Sequence, residues 1–415
     1  MTQPPNPKRR SLPLPDSRSG LLEDLLESIG QHLASGHDAA SFRSACSPWC
    51  TVVPFATFGL LLLLPFDPNS DHVGFYCVSE KKVLSKMLSD VCGKVACGSL
   101  CGWLALMDEA ASVTLLNPFA GACAPRVDLP PAGEHVAAAS SSERVSRVHS
   151  RWVLHPTNGY GDADAAGRAI KIEDMRDMFF HEIVLSTPPD IVGRECVAMA
   201  MLGCSTEATF FRVGVDSAWT LLDTKLEFSV GSIVHCQDKF LAIDCTGEIS
   251  VCSSNAADTT PTATLLLSLS PPAGLYHRSY LESNGELHIV GAMVSTFHET
   301  QSFTYSSAVY KCNLNDRTPE WSRVRDIGDQ TLFVSKHFNE SFSGTSVSKY
   351  KENKIYMSES LYEDSYDLVH RLEIVDIGTG ASEVKPVQKK MHGSDALGWI
   401  RLNLWKGHCK TSIIS

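Results

Sequence analysis

The chain has 415 residues, of which 43% are hydrophobic and 20% charged, with a formal net charge of -11. That length buries a large core and exceeds the usual size of one compact domain, with an ordinary soluble globular composition. The acidic balance argues against nucleic acid as the main partner, since an extended phosphate-binding surface needs clustered Lys and Arg.

Residues 1–19, MTQPPNPKRRSLPLPDSRS, read as a Pro/Ser-rich disordered tail without the apolar core of a secretory signal. Lys8, Arg9 and Arg10 read as solvated charge rather than a nuclear signal. Residues 20–54 then carry a helical period. Leu22, Leu26, Ile29 and Leu33 fall on one helical face, and Leu21 and Leu25 widen it. Ser35-Gly36 closes this helix, and Asp38 is placed to cap a second one. There Phe42, Ala45, Cys46 and Trp49 follow the i, i+3, i+4, i+7 pattern, and Pro48 stops or bends the helix. A helical hairpin of about thirty residues is too small to be stable alone, so it must pack on something.

Beyond Thr51 the helical period fades. The run FGLLLLLPF, from Phe58 to Phe66, lies beside Pro54 and contains Pro65; it is too short to cross a membrane and predicts a buried strand. Short β-rich runs follow, separated by Gly, Pro, Asn, Asp and Ser. A loose unit of strand, polar turn and strand recurs, with anchors near Leu61, Trp103, Trp152, Val197, Phe240, Leu287 and Ile355. The steps between those positions are 42, 49, 45, 43, 47 and 68 residues. A four-stranded propeller blade takes about 40–50. The pattern predicts a mainly β protein, a β-propeller of six to eight blades with seven candidate strand starts, preceded by a small α-helical domain. Trp152 is the weakest anchor, because HPTNGYGDADAAGRAIKIEDMRDM after it gives no clear strands. In the segment from Glu320 to Ser360, Trp321, Val324, Leu332, Phe333 and Val334 supply apolar strand positions. Ile327-Gly328-Asp329 is turn chemistry there, and Lys354 is expected to begin the next blade.

A search for chemistry returns little. The 14 cysteines form no C-x-x-C pairs; the closest are Cys46/Cys50 and Cys97/Cys101, and reduced thiols buried as small hydrophobes are expected, with no metal and no cofactor. No Walker loop, dinucleotide fingerprint or H-E-x-x-H is present. Gly98-Ser99-Leu100-Cys101-Gly102 only superficially resembles a nucleophile elbow. His181-Glu182 reads as an exposed or salt-linked pair. Glu359, Glu363, Asp364 and Asp367 read as a solvated loop.

Three blocks carry a family resemblance. DLLESIGQHLASGHDAASFRSACSPW resembles an F-box. WSRVRDIGDQTLFVSKHFNESFS with NKIYMSES, and GWLALMDEAASVTLLNPFAG, resemble the β domain of plant F-box proteins of the KIB type. The departures are that Leu-Pro lies upstream, at Leu12-Pro13 and Leu14-Pro15, and that Pro48 stands where a basic or polar residue is usual. The resemblance implies an F-box-like domain over 20–54 and a KIB-type propeller over 55–415. It implies a non-catalytic substrate-recognition subunit of an SCF-type ubiquitin ligase, resident in the nucleus and/or cytoplasm. The F-box would bind a Skp-type adaptor joined to a cullin, with Leu22, Leu25, Leu26, Ile29, Leu33, Phe42 and Trp49 as the adaptor-binding candidates. The propeller would hold a target protein of unknown identity, without membrane or nucleic acid. Two other readings stand beside it: a propeller enzyme or lectin-like ligand binder capped by the helices, and a scaffold whose degenerate F-box engages no adaptor.

Overall fold

The computed structural model describes residues 25, 26, 28 and 29 and, from 60 to 401, all but 66, 79, 120–125, 132–142, 149–150, 157–167, 171–178, 190–192, 203–206, 254–260, 267–268, 298–301, 317, 336–337, 344–349, 364–366 and 390–397. The chain separates into two compact units, Met1–Gly59 and Leu60–Ser415. In the first, Leu25, Leu26, Ser28 and Ile29 have helical backbone. The rest of the expected hairpin, including Leu22, Leu33, Phe42 and Trp49, lies outside the described residues, as does the 1–19 tail.

The second unit is a six-bladed β-propeller. From the centre outward, blade 1 comprises Gly398–Arg401, Leu60–Leu63, His72–Cys77 and Lys82–Met87. Blade 2 comprises Val95–Leu100, Trp103–Met107, Val113–Leu116 and Arg126–Leu129. Blade 3 comprises Phe180–Leu185, Val197–Leu202, Glu207–Arg212 and Thr220–Asp223. Blade 4 comprises Val230–Cys236, Lys239–Asp244, Ile249–Ser253 and Thr262–Leu265. Blade 5 comprises Leu275–Ser283, Glu286–Phe297, Ser302–Cys312 and Ser322–Val324. Blade 6 has five strands: Glu340–Ser343, Gln330–Val334, Lys354–Glu363, Asp367–Asp376 and Ser382–Lys389.

The expected seven strand starts resolve into six blades. Leu61, Trp103, Val197, Phe240 and Leu287 each lie on the second strand of their blade, and Ile355 lies on the third strand of blade 6. Trp152 belongs to no blade. It sits on the middle strand of a separate three-stranded sheet, Glu143–Val148, Arg151–Pro156 and Arg168–Ile170, inserted in sequence between blades 2 and 3. The long last step also has a cause. Gln330–Val334 and Glu340–Ser343 form an extra antiparallel pair, and Gln330–Val334 runs parallel to Lys354–Glu363. Lys354 therefore continues blade 6 and does not begin a new one.

Each second strand is covered on both faces by neighbouring blades, which is why LLLL, WLALM and VAMAML read as unbroken apolar runs and are buried throughout. The predicted buried strand after Phe58 is the first of these. The first two strands of blade 5 join through Asn284-Gly285, both at positive φ, a two-residue turn that suits the strand twist. Cys101-Gly102 does the same in blade 2, so the elbow-like sequence there is a hairpin tip. Continuous cores weld blade 2 to 3, 3 to 4, 4 to 5 and 5 to 6.

Closure falls to blade 1, whose innermost strand comes from the far end of the chain. Leu60–Leu63 pairs on one side with His72–Cys77 and on the other with Gly398–Arg401. Leu60, Leu62, Tyr76 and Trp399 share a core with Phe333, Tyr350, Tyr356 and Leu372 of blade 6. Phe333 is the hub, with ring centroids 5.0 Å from Tyr350, 5.1 Å from Tyr356 and 5.0 Å from Trp399. The Tyr350 hydroxyl, buried in this cluster, donates to the Leu60 carbonyl at 2.8 Å.

Candidate functional site

The innermost strands converge on the propeller axis, and between those of blades 2 to 6 opens a cavity of about 390 Å³. Its walls carry Glu182 from blade 3, His235 from blade 4, Glu282 from blade 5, and Asn339 and Glu340 from blade 6, with Arg194 at its edge. Ser99 belongs to the blade 2 wall, where its hydroxyl donates to the Trp399 carbonyl of blade 1 at 2.8 Å. Asn339 works likewise between blades 5 and 6. Its amide nitrogen donates to the Tyr280 carbonyl at 3.1 Å and its oxygen accepts from the Ser335 N–H at 2.9 Å.

The carboxylates are not equivalent. Glu282 accepts the Gly285 N–H at 2.6 Å and is committed to its own hairpin. Glu182 keeps some surface open to the cavity but is surrounded by the blades. Burial pushes its pKa up to about 8, against a weaker opposing effect of the Ile233 N–H, which donates to it from blade 4 at 3.3 Å. A protonated carboxyl is therefore the form this site favours at neutral pH. His235 lies with its ring 4.8 Å from that of Phe240, and burial holds its pKa below the usual imidazole value. The cavity is thus a polar chamber at the meeting point of five strands, in which Glu182 and His235 favour their neutral forms.

His181-Glu182 separates into two roles: His181 is exposed on the strand, while Glu182 faces the axis. Sequence reasoning gave Glu182 no role, because what distinguishes it is the convergence of blades far apart in the chain. Among the described residues, no group of three or more His, Cys, Asp or Glu side chains is placed to hold a metal. Of the carboxylates read as a solvated loop, Glu359 is exposed, Glu363 and Asp367 lie on the two strands of a blade 6 hairpin, and Asp364 is outside the described residues. All nine described cysteines are free thiols; six are buried, Cys101 is half-buried, and Cys92 and Cys245 are exposed.

The described adaptor-binding candidates split by face. Leu25 is 51% exposed and Ile29 41% exposed, one helical turn apart, whereas Leu26 is buried.

The profile of the KIB1-4 beta-propeller family matches residues 75–381, from the third strand of blade 1 to the edge of the last strand of blade 6. The chain belongs to the KIB1-4 beta-propeller family. Among curated proteins, this family member is similar to one from Arabidopsis thaliana named as an F-box protein, with 27% identity over 332 residues, 78% of this chain and 79% of the relative. Solved structures give distant likenesses. AztD of Citrobacter koseri is 9% identical with a TM-score of 0.29, over 82% of this chain and 97% of that one. The xyloglucan-locus protein GH43B of Bacteroides ovatus is 8% identical, also at 0.29, over 76% of this chain and 56% of that one.

Proposed function

We propose that this KIB1-4 family member is the substrate-recognition subunit of an SCF-type ubiquitin ligase, acting in the nucleus and/or cytoplasm. In this reading it performs no chemistry. Its first unit docks a Skp-type adaptor joined to a cullin, and its propeller presents a target protein for ubiquitin transfer by the partner subunits. The observation that carries the proposal is the exposed pair Leu25 and Ile29, two large apolar side chains one turn apart, in a relative of a named F-box protein. Apolar side chains at that spacing are the usual anchors of a helix in a partner's groove. A rigid ring of blades with loops at both ends suits recognition of a folded or extended partner.

Capture of a purified Skp-type adaptor by the full chain tests this. Wild type retains the adaptor at micromolar concentration, and Leu25→Asp with Ile29→Asp abolishes retention while the β-sheet circular dichroism of the propeller is unchanged. Leu26 is left intact because it is buried, and its loss would confound docking with folding. A wild-type chain that captures no adaptor overturns the proposal.

A further inference from the structure

Blade 5 departs from its neighbours at its outer edge. In blades 2, 3 and 4 the fourth strand pairs with the third over four residue pairs each, and those third strands have only four to six residues. In blade 5 the third strand, Ser302–Cys312, has 11 residues and pairs along its whole length with the second. Yet the fourth strand, Ser322–Val324, covers only Val309, Tyr310 and Lys311. The outer edge of Ser302–Ala308 has no strand partner among the described residues. Every second residue of that edge turns its N–H and C=O outward.

Open edges of this length are ordinarily blunted by Lys, Pro or a bulge, because they template pairing with another chain. The sequence here, SFTYSSA, contains no charge and no proline, and Tyr305 within it is 70% exposed. Beside the edge lies a cleft of about 300 Å³ between blades 5 and 6. Val309 and Val324 from blade 5 and Ile355 and Val375 from blade 6 give it an apolar floor. Arg323 and Arg325 line its end, where the chain leaves the sheet. Neither arginine has a carboxylate within ion-pair reach among the described residues, in a chain whose net charge is -11. Asn353 fixes this end. Its side-chain oxygen accepts the Ile327 N–H at 3.1 Å, and its amide nitrogen donates to the Arg325 carbonyl at 3.3 Å.

We propose that this edge receives an extended segment of a partner protein, which adds to blade 5 as the missing length of its fourth strand. The main chain of the segment hydrogen-bonds to Ser302–Ala308. Its alternate side chains, small or branched and apolar, enter the cleft over Val309, Val324, Ile355 and Val375, and a carboxylate at its end meets Arg325. Strand addition of this kind takes affinity from the backbone and selectivity from alternate pockets. The inference deepens the reading of the propeller as the target-binding part, but it does not require the first unit to hold an adaptor.

The test uses the full chain and a phage-displayed library of linear peptides. The enriched peptides are expected to alternate apolar residues and to carry Asp or Glu at one end. A synthetic copy slows amide exchange across 302–308 by roughly tenfold or more. N-methylation of alternate peptide amides along one edge abolishes binding, while methylation of the intervening amides leaves it intact. Arg325→Glu weakens binding of the acidic peptide by roughly tenfold and restores it when the peptide's end residue becomes Lys. Protection that maps elsewhere, equal binding of both methylated sets, failure to enrich any peptide, or a dimer that protects 302–308 without peptide would each overturn the proposal. Adaptor capture is read separately, so a chain that binds the peptide but no adaptor sinks only the ligase reading.

Discussion

The indole N–H of Trp399 donates to the Val334 carbonyl at 3.0 Å, and the backbone carbonyl of Trp399 accepts from Ser99 at 2.8 Å. One residue of blade 1 therefore ties the second strand of blade 6 to the first strand of blade 2. Trp399 is also fully buried against Phe333. Trp399→Ala removes a large core side chain and orphans the Val334 carbonyl, and is expected to cost about 3–5 kcal/mol. Trp399→Phe keeps most of the packing and loses the donor, so its cost is expected to be smaller. Denaturant unfolding of both variants at one pH gives the comparison; equal stability of Trp399→Ala and wild type would show that the ring does not depend on this closure.

Two glycines mark where the innermost strands approach most closely. A Cβ on Gly98 would lie 2.2 Å from the Ile183 carbonyl oxygen of blade 3, and one on Gly398 would lie 1.7 Å from the Phe338 ring of blade 6. The first obstacle is backbone of a packed strand and has nowhere to go. Gly98→Ala is expected to destabilise by about 1–3 kcal/mol or more. Gly398→Ala faces a side chain, so adding Phe338→Ala should recover part of its cost, which a double-mutant cycle measures.

Glu182 gives the propeller a pH signature. Its native pKa of about 8 lies above that of an unfolded glutamate, near 4.3, so the folded state binds the extra proton between those values. Its contribution is therefore complete at and below about pH 4 and is lost as pH rises toward 8, levelling beyond that. Glu182→Gln mimics the protonated form. It is expected to match wild type near pH 5 and to exceed it near pH 8. Melting temperatures across that range test this, and parallel pH profiles for the two proteins would refute it.

Thiol labelling should follow burial. Burial pushes the pKa of Cys236 up to about 12, and those of Cys252 and Cys312 up to about 11. A maleimide at neutral pH is expected to modify Cys92 and Cys245 within minutes. It should leave Cys97, Cys236, Cys252 and Cys312 untouched until denaturant is added, as read by peptide mass mapping. Early modification of Cys236 would contradict its place in the core between blades 4 and 5.

The sequence revealed the ring more readily than its centre. Doubly covered strands force unbroken apolar runs, and those runs placed Leu61, Trp103, Val197, Phe240 and Leu287 on equivalent strands of five blades. Trp152 misled because the inserted three-stranded sheet has the same two-residue period as a blade; periodicity reports a strand, not its distance from the axis. Lys354 misled for a related reason, since a parallel neighbour within blade 6 has the same local signature as the first strand of a new blade. Glu182 and the open edge of Ser302–Ala308 carry no local signal. One is defined by strands converging from distant segments, the other by a neighbour too short to cover it.

Because Gly398–Arg401 completes the sheet begun by Leu60–Leu63, the earliest strand of the ring to leave the ribosome is the last to acquire both neighbours. The four leucines of this strand wait through the synthesis of every other blade with one flank bare. Nascent molecules of this protein should therefore lean on chaperones until Gly398–Arg401 has been made, and premature stop codons anywhere before Gly398 should yield aggregates instead of shortened propellers.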